Sequence, residues 1–161
     1  MTAPTDLRAL DIRVLGTPRP KGSLRPFVAT NGKPRAREQL AGSPDWRRSV
    51  TDTAYQAIRC DCDEPDCTIL KPGYPRTGPV KVIIELEFVP PKKRSGPYPH
   101  TRTTGDADKH ARNILDSLQD AGVVKDDAAV VDLRVTKRWS DTGVAGARIV
   151  VWPVVEAVPH A

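Results

Sequence analysis

Residues Val80–Phe88 read VKVIIELEF, and their alternation places Val80, Val82, Ile84, Leu86 and Phe88 on one face of an extended strand. A strand this apolar on one side must be covered, and the sequence offers two helical patterns to cover it. In the first, Ser43 is predicted to cap a helix with Pro44 at its first position. Trp46, Val50, Ala54, Ala57 and Ile58 then form the apolar stripe, which makes Trp46 a core residue rather than a stacking platform. The second runs from Ala107 to Ala121, with Ala111, Ile114, Leu115 and Leu118 at helical spacing and Gly122 placed to end it. Leu10, Ile12 and Val14 alternate as a further strand, as do Val131, Leu133 and Val135, and ARIVVWPVV supplies the last. TGVAG between those last two reads as a loose hairpin connection. The pattern predicts one α+β domain over residues 1–161, a mixed β-sheet packed against helices. Residues 1–9 carry no pattern and are expected to fray; residues 60–79 read as an irregular insertion rich in Cys, Pro and Gly.

Charge narrows the function. Lys and Arg number 25 against 20 Asp and Glu, a formal charge of +5, which suits a polyanionic partner. Much of the positive charge lies in two Pro- and Gly-rich stretches, 16–37 and 89–105. There the backbone is held extended, and basic side chains can follow a phosphate chain. Lys21, Arg25, Arg35, Arg37 and Arg102 are the candidate phosphate contacts. The chain has neither an apolar run long enough for a bilayer nor a charged-then-apolar leader, so a cytoplasmic protein is expected.

Cys60, Cys62 and Cys67 crowd into CDCDEPDC. Three thiolates could hold a structural Zn²⁺ with a fourth ligand from Asp61, Asp63, Asp66 or His100. The spacing lacks the paired C-x2-C knuckles of common zinc sites, and an exposed loop with reduced cysteines is the simpler reading.

The acidic residues are the more informative minority. Asp106 and Asp108 open the second helix, Asp126 and Asp127 follow it, and Arg112 sits one turn in. Asp108, Arg112 and Asp116 drift by only about 40° per step of four and so share one stripe. One simple reading makes Asp106 or Asp108 an N-cap and Asp108–Arg112 a surface ion pair. The strand after Asp127 is expected to return beside the helix and bring Asp127 to Asp106 and Asp108. Carboxylates so gathered would repel by about 4 kcal/mol per pair at 4 Å and an effective dielectric near 20. Either they remain apart, or protons or a metal neutralise them; a hard divalent cation, Mg²⁺ or Mn²⁺, would leave positions for water and a phosphate oxygen.

The run D-A-D-K-H-A-R-N-I-L-D-S-L-Q-D-A-G-V-V-K-D-D-A-A-V-V-D-L-R-V-T-K resembles the signature region of the RusA family of Holliday junction resolvases. That family shows D-x-D-N-x-x-K, then D-A-L, A-G and D-D-x-x-V before a strand ending in Lys. The ungapped match spans roughly a fifth of the chain, and the spacing of its acidic clusters is more specific than either cluster. An amino-terminal strand leading into P-x-P-K-G-S-x-R-P also sits where the family places a strand and a basic loop. The resemblance implies a Mg²⁺-dependent homodimer that nicks opposed strands of a four-way DNA junction in recombination and repair, in a phage or prophage setting. It carries the metal-site aspartates onto Asp106, Asp108 and Asp127. The family's catalytic lysine falls on Arg112 and its Asn on Lys109, which adds charge for DNA. Arg retains the charge but cannot give up a proton, so Arg112 is expected to clamp phosphate rather than act as a base. Two other readings stand beside this one: a branched-DNA binder without catalysis, and a small zinc protein organised on CDCDEPDC.

Overall fold

The computed structural model describes residues 8–38, 40–64, 67–94 and 96–154. The elements in chain order are β1 (Leu10–Leu15), β2 (Leu24–Val28), β3 (Pro34–Glu38), α1 (Ser43–Ile58), β4 (Val80–Phe88), α2 (Ala107–Asp120), β5 (Val130–Trp139) and β6 (Gly146–Pro153). β1, β6, β4 and β5 form a four-stranded mixed sheet in that order, and β2 and β3 form a separate two-stranded ribbon. The α+β architecture is therefore the one expected from the alternation of strand and helix patterns. The anticipated fraying falls mostly on residues 1–7, outside the described residues.

β4 is a central strand because its even-numbered residues are the most uniformly apolar in the chain. Val80, Val82, Ile84 and Leu86 are fully buried or nearly so, under Val50, Ala54 and Ile58 from α1 and Ile114 and Leu118 from α2. The opposite face of the sheet carries a lattice of charges. Arg13 and Arg138 both donate to Glu87. Arg148 bonds Asp11 at 2.6 Å, and Lys81 reaches Asp132 at 2.9 Å.

β4 and β5 run parallel and are joined by α2, whereas β6 pairs antiparallel with both β4 and β1. This corrects the expected hairpin at TGVAG: β5 and β6 are not neighbours, because β4 lies between them, and the connection crosses it. A register shift at Val80/Lys81 leaves Val131 opposite no partner on β4. β5 is an edge strand, and Val131 and Leu133 on it stay 62% and 43% exposed.

The start of α1 differs in detail from the expected cap. Gly42 holds the cap position in a left-handed conformation, with no side-chain cap bond. Ser43 is instead buried, and its Oγ accepts from Asn113 Nδ2 at 3.2 Å, tying α1 to α2. The second helix ends as read from Gly122: φ there is +80°, and Val123 N donates back to Leu118 O at 2.9 Å.

The 16–37 stretch contains β2 and β3, which the sequence did not announce because neither strand faces the core. Cross-strand partners share a face, and the register sorts the ribbon cleanly. Arg25↔Arg37 and Phe27↔Arg35 lie on one face; Pro26↔Ala36 and Val28↔Pro34 lie on the other, with Leu24.

Candidate active site

The amino-terminal end of α2 is built by a chain of hydrogen bonds around Thr104 and Gly105. Thr104 Oγ1 donates to Pro99 O at 3.0 Å and Thr101 O at 2.8 Å, closing the short 3-10 turn Arg102–Thr104. His110, fully buried and edge-on to the Phe88 ring, donates from Nε2 to Thr104 O at 2.7 Å. Burial holds the His110 imidazole below its ordinary pKa, so it serves as a neutral strut. Lys137 completes the frame from β5: its Nζ donates to Gly105 O at 2.6 Å and lies 3.3 Å from Thr104 Oγ1. Desolvation lowers the Lys137 pKa, and the Asp106 carboxylate opposes that shift.

Gly105 has φ +73°, and a Cβ there would stand 2.6 Å from Pro20 Cγ. Only glycine allows the basic loop to lie this close to the entry of α2. The loop is strapped down further along the helix as well. Lys21 N donates to Lys109 O at 3.0 Å, Asn113 Nδ2 donates to Arg19 O at 2.9 Å, and Lys21 Nζ sits 2.5 Å from Asp116. Arg47 from α1 joins Asp116 at 3.4 Å and Asp120 at 2.6 Å. Asp116, on the stripe shared with Asp108 and Arg112, is thus a structural node. The Lys21 ammonium, expected to meet phosphate, is engaged with it.

Asp106 occupies the cap position of α2 with extended backbone, but its side chain makes no cap bond. Its carboxylate faces Lys109 Nζ at 3.3 Å. Asp108 and Arg112 are both exposed, and among the described residues no ion pair joins them. The cap and ion-pair readings therefore leave Asp108 unexplained. Asp106, Lys109, Lys21 and Arg102 line one open cleft between the basic loop and the helix entry. Arg25, Arg35 and Arg37 stand apart on the ribbon, exposed, with Arg25 and Arg37 lining a groove against the start of α1.

Asp127 is not in this cleft. α2 runs antiparallel to β5, its entry tied to Lys137 near the carboxyl end of that strand. Asp127 precedes the amino end of β5, in the 3-10 turn Asp127–Ala129 beyond the far end of α2. The helix has 14 residues and spans about 21 Å, and Asp106 and Asp127 lie beyond its opposite ends. The expectation that the three carboxylates gather in one protomer is corrected accordingly. Asp126 and Asp127 are both exposed, and Asp126 accepts from Ala128 N at 2.8 Å as the cap of that turn.

A model of the family described as endodeoxyribonuclease RusA matches residues 18–151, from the basic loop through most of β6. The chain belongs to the RusA endodeoxyribonuclease family. No curated protein matches it. As a RusA-family member it is a phosphodiester-cleaving enzyme of the Holliday-junction-resolving kind, and branched DNA is the partner that membership implies. No helix among its described residues is long and apolar enough to cross a membrane.

Lys137 is the residue that sequence reasoning passed over. Its signal was parity: it follows Val135 by two, so it lies on the helix-facing side of β5, where a charge needs partners. Replacing Lys137 with Met leaves the Gly105 carbonyl without its charged donor. Urea unfolding of Lys137→Met is expected to show a loss of about 1–3 kcal/mol. An unchanged midpoint would mean that Lys137 does not hold the helix entry.

Proposed function

We propose that this chain is a Mg²⁺-dependent resolvase of four-way DNA junctions whose metal-site carboxylates assemble across a homodimer. The observation that carries this reading is the placement of the Asp106–Asp108 pair and Asp127 at opposite ends of α2. A twofold partner docked antiparallel along the free edge of β5 would reverse the strand direction. That would set the Asp127 end of one β5 beside the Lys137 end of the other. Val131 and Leu133 supply apolar edge surface for the contact, and among the described residues no strand pairs with that edge.

The donor set suits a hard cation. Asp106 and Asp108 offer exposed carboxylate oxygens, neither spent on capping α2. Asp106, Asp108 and Asp127 of the partner subunit would hold Mg²⁺, with Mn²⁺ as a substitute. Such an ion would activate water and stabilise charge on the leaving oxygen. Arg112, exposed one turn beyond Asp108, would place a fixed positive charge against the scissile phosphate. Lys109 and Arg102 flank the cleft and would draw the DNA backbone toward the carboxylates. Arg25, Arg35 and Arg37 share one face of the ribbon, and among the described residues no carboxylate pairs with them. Like charges directly opposite destabilise a bare ribbon, and phosphate between Arg25 and Arg37 would relieve that. Paired sites about a twofold axis would give the paired nicks that resolution needs.

A second reading, a branched-DNA binder that does not cut, draws on Arg112 standing where the family has lysine. A synthetic four-way junction separates the two. Cleavage is expected in Mg²⁺ and not in EDTA, with a linear duplex of the same sequence left intact. Asp108→Asn is expected to abolish cutting while junction affinity holds or rises, because a charge that repels phosphate is gone. Cutting by Asp108→Asn at the parental rate would remove Asp108 from the site. Tight binding without cutting in either Mg²⁺ or Mn²⁺ would favour the silent binder. Alanine at Arg25, Arg35 and Arg37 together is expected to flatten the salt dependence of junction affinity by about 0.9 in log–log slope per lost phosphate contact. An unchanged slope would take the ribbon off the DNA.

A further inference from the structure

The 60–79 connection holds a feature the nuclease reading does not use. The sulfurs of Cys60, Cys62 and Cys67 lie within 4.8 Å of one another. Among the described residues, no other group of three or more His, Cys, Asp or Glu gathers its ligand atoms this closely. All three cysteines are free, and Cys62 is exposed whereas the other two are half-buried. The limbs of the loop are closed by backbone bonds, Cys60 N to Ile69 O at 2.9 Å and Lys71 N to Ile58 O at 2.7 Å. Asp61–Glu64 at its tip are exposed, and none of Cys60, Cys62 and Cys67 belongs to the apolar core. What draws three thiols together there is therefore not hydrophobic packing.

We infer that Cys60, Cys62 and Cys67 form a structural site for one Zn²⁺. Tetrahedral zinc with sulfur at about 2.3 Å sets its ligands ~3.8 Å apart, within the spread of this cluster. A disulfide would join two sulfurs at about 2.05 Å and leave the third without a function. Cys60 and Cys67 Sγ are 2.9 Å apart, between those two spacings. Three thiolates on a dication leave one net negative charge, and basic groups stand by to offset it. Arg59 adjoins Cys60, and Lys71 Nζ lies 3.2 Å from Asp61 while donating to Ala57 O.

The clip would brace the far end of the nuclease framework. Leu70, bridged to Arg59, lies where a Cβ on Gly122 would stand 3.2 Å from its Cδ1. Arg76 then pairs with the Val123–Lys125 segment, donating to Val123 O at 2.9 Å and accepting from Lys125 N at 3.0 Å. That segment leads directly into Asp126 and Asp127.

The inference stands whether or not the dimeric nuclease reading holds, and metal content tests it. Full-length protein, purified under reductant without chelator and dialysed against metal-free buffer, is expected to retain one zinc ion per chain. Co²⁺ put in its place should show intense thiolate-to-metal absorption in the near ultraviolet. Cys62→Ser, a change at an exposed position, should lose the zinc while keeping its far-ultraviolet circular dichroism. Asp108→Asn should retain it. Hydrogen exchange across residues 58–76 should quicken when the zinc is removed. Metal-free protein with three reactive thiols would overturn the assignment, as would a Cys60–Cys67 disulfide under the same conditions. Zinc retained in full by Cys62→Ser would place the ion elsewhere and overturn it too.

Discussion

The packing of α2 across β4 and β5 is the constraint on which the rest depends. Ile114 and Leu118 are fully buried against the central strand, and Lys137 fixes the helix entry through the Gly105 carbonyl. A helix is a rod of fixed rise, so once both ends are set, the residues flanking it cannot approach one another. Asp106 and Asp108 are committed to one end of the sheet and Asp127 to the other. In the dimer we propose, a second copy along the edge of β5 would bring the two acidic ends together.

The same rod organises the positive charge. Lys21, Arg47 and Asn113 spend their polar groups strapping the basic loop and α1 to α2, through Asp116, Asp120 and the Arg19 carbonyl. Arg102 and Arg112 keep theirs toward solvent near the helix entry, Lys109 pairs there with Asp106, and the ribbon arginines extend that surface away from the core. Basic residues close in sequence therefore divide by geometry into those that hold the cleft together and those free to meet phosphate.

What the sequence disclosed follows the same division. Wherever burial dictates pattern, the reading was direct: the alternation in β4, the stripe of α1 and the end of α2 at Gly122 all stand as read. β2 and β3 were illegible because a ribbon outside the core leaves no hydrophobic period. The hairpin expected at TGVAG failed because adjacency in sequence does not specify adjacency in a mixed sheet, and β4 had the stronger claim to the middle. The acidic motif was recognisable as a family signature, yet spacing along the chain could not say that a helix would hold its two halves apart. Lys137 was legible only in hindsight, through its parity on β5.

The most direct test mixes two inactive proteins. Asp108→Asn and Asp127→Asn subunits, co-refolded and tagged so that the heterodimer can be isolated, are assayed on a four-way junction in Mg²⁺. If each site draws Asp108 and Asp127 from different subunits, one site of the heterodimer carries both substitutions and the other carries neither. Nicking should then return, on one strand of the pair. If the carboxylates assemble within one chain, both sites are damaged, and a heterodimer as inactive as its parents would contradict the account.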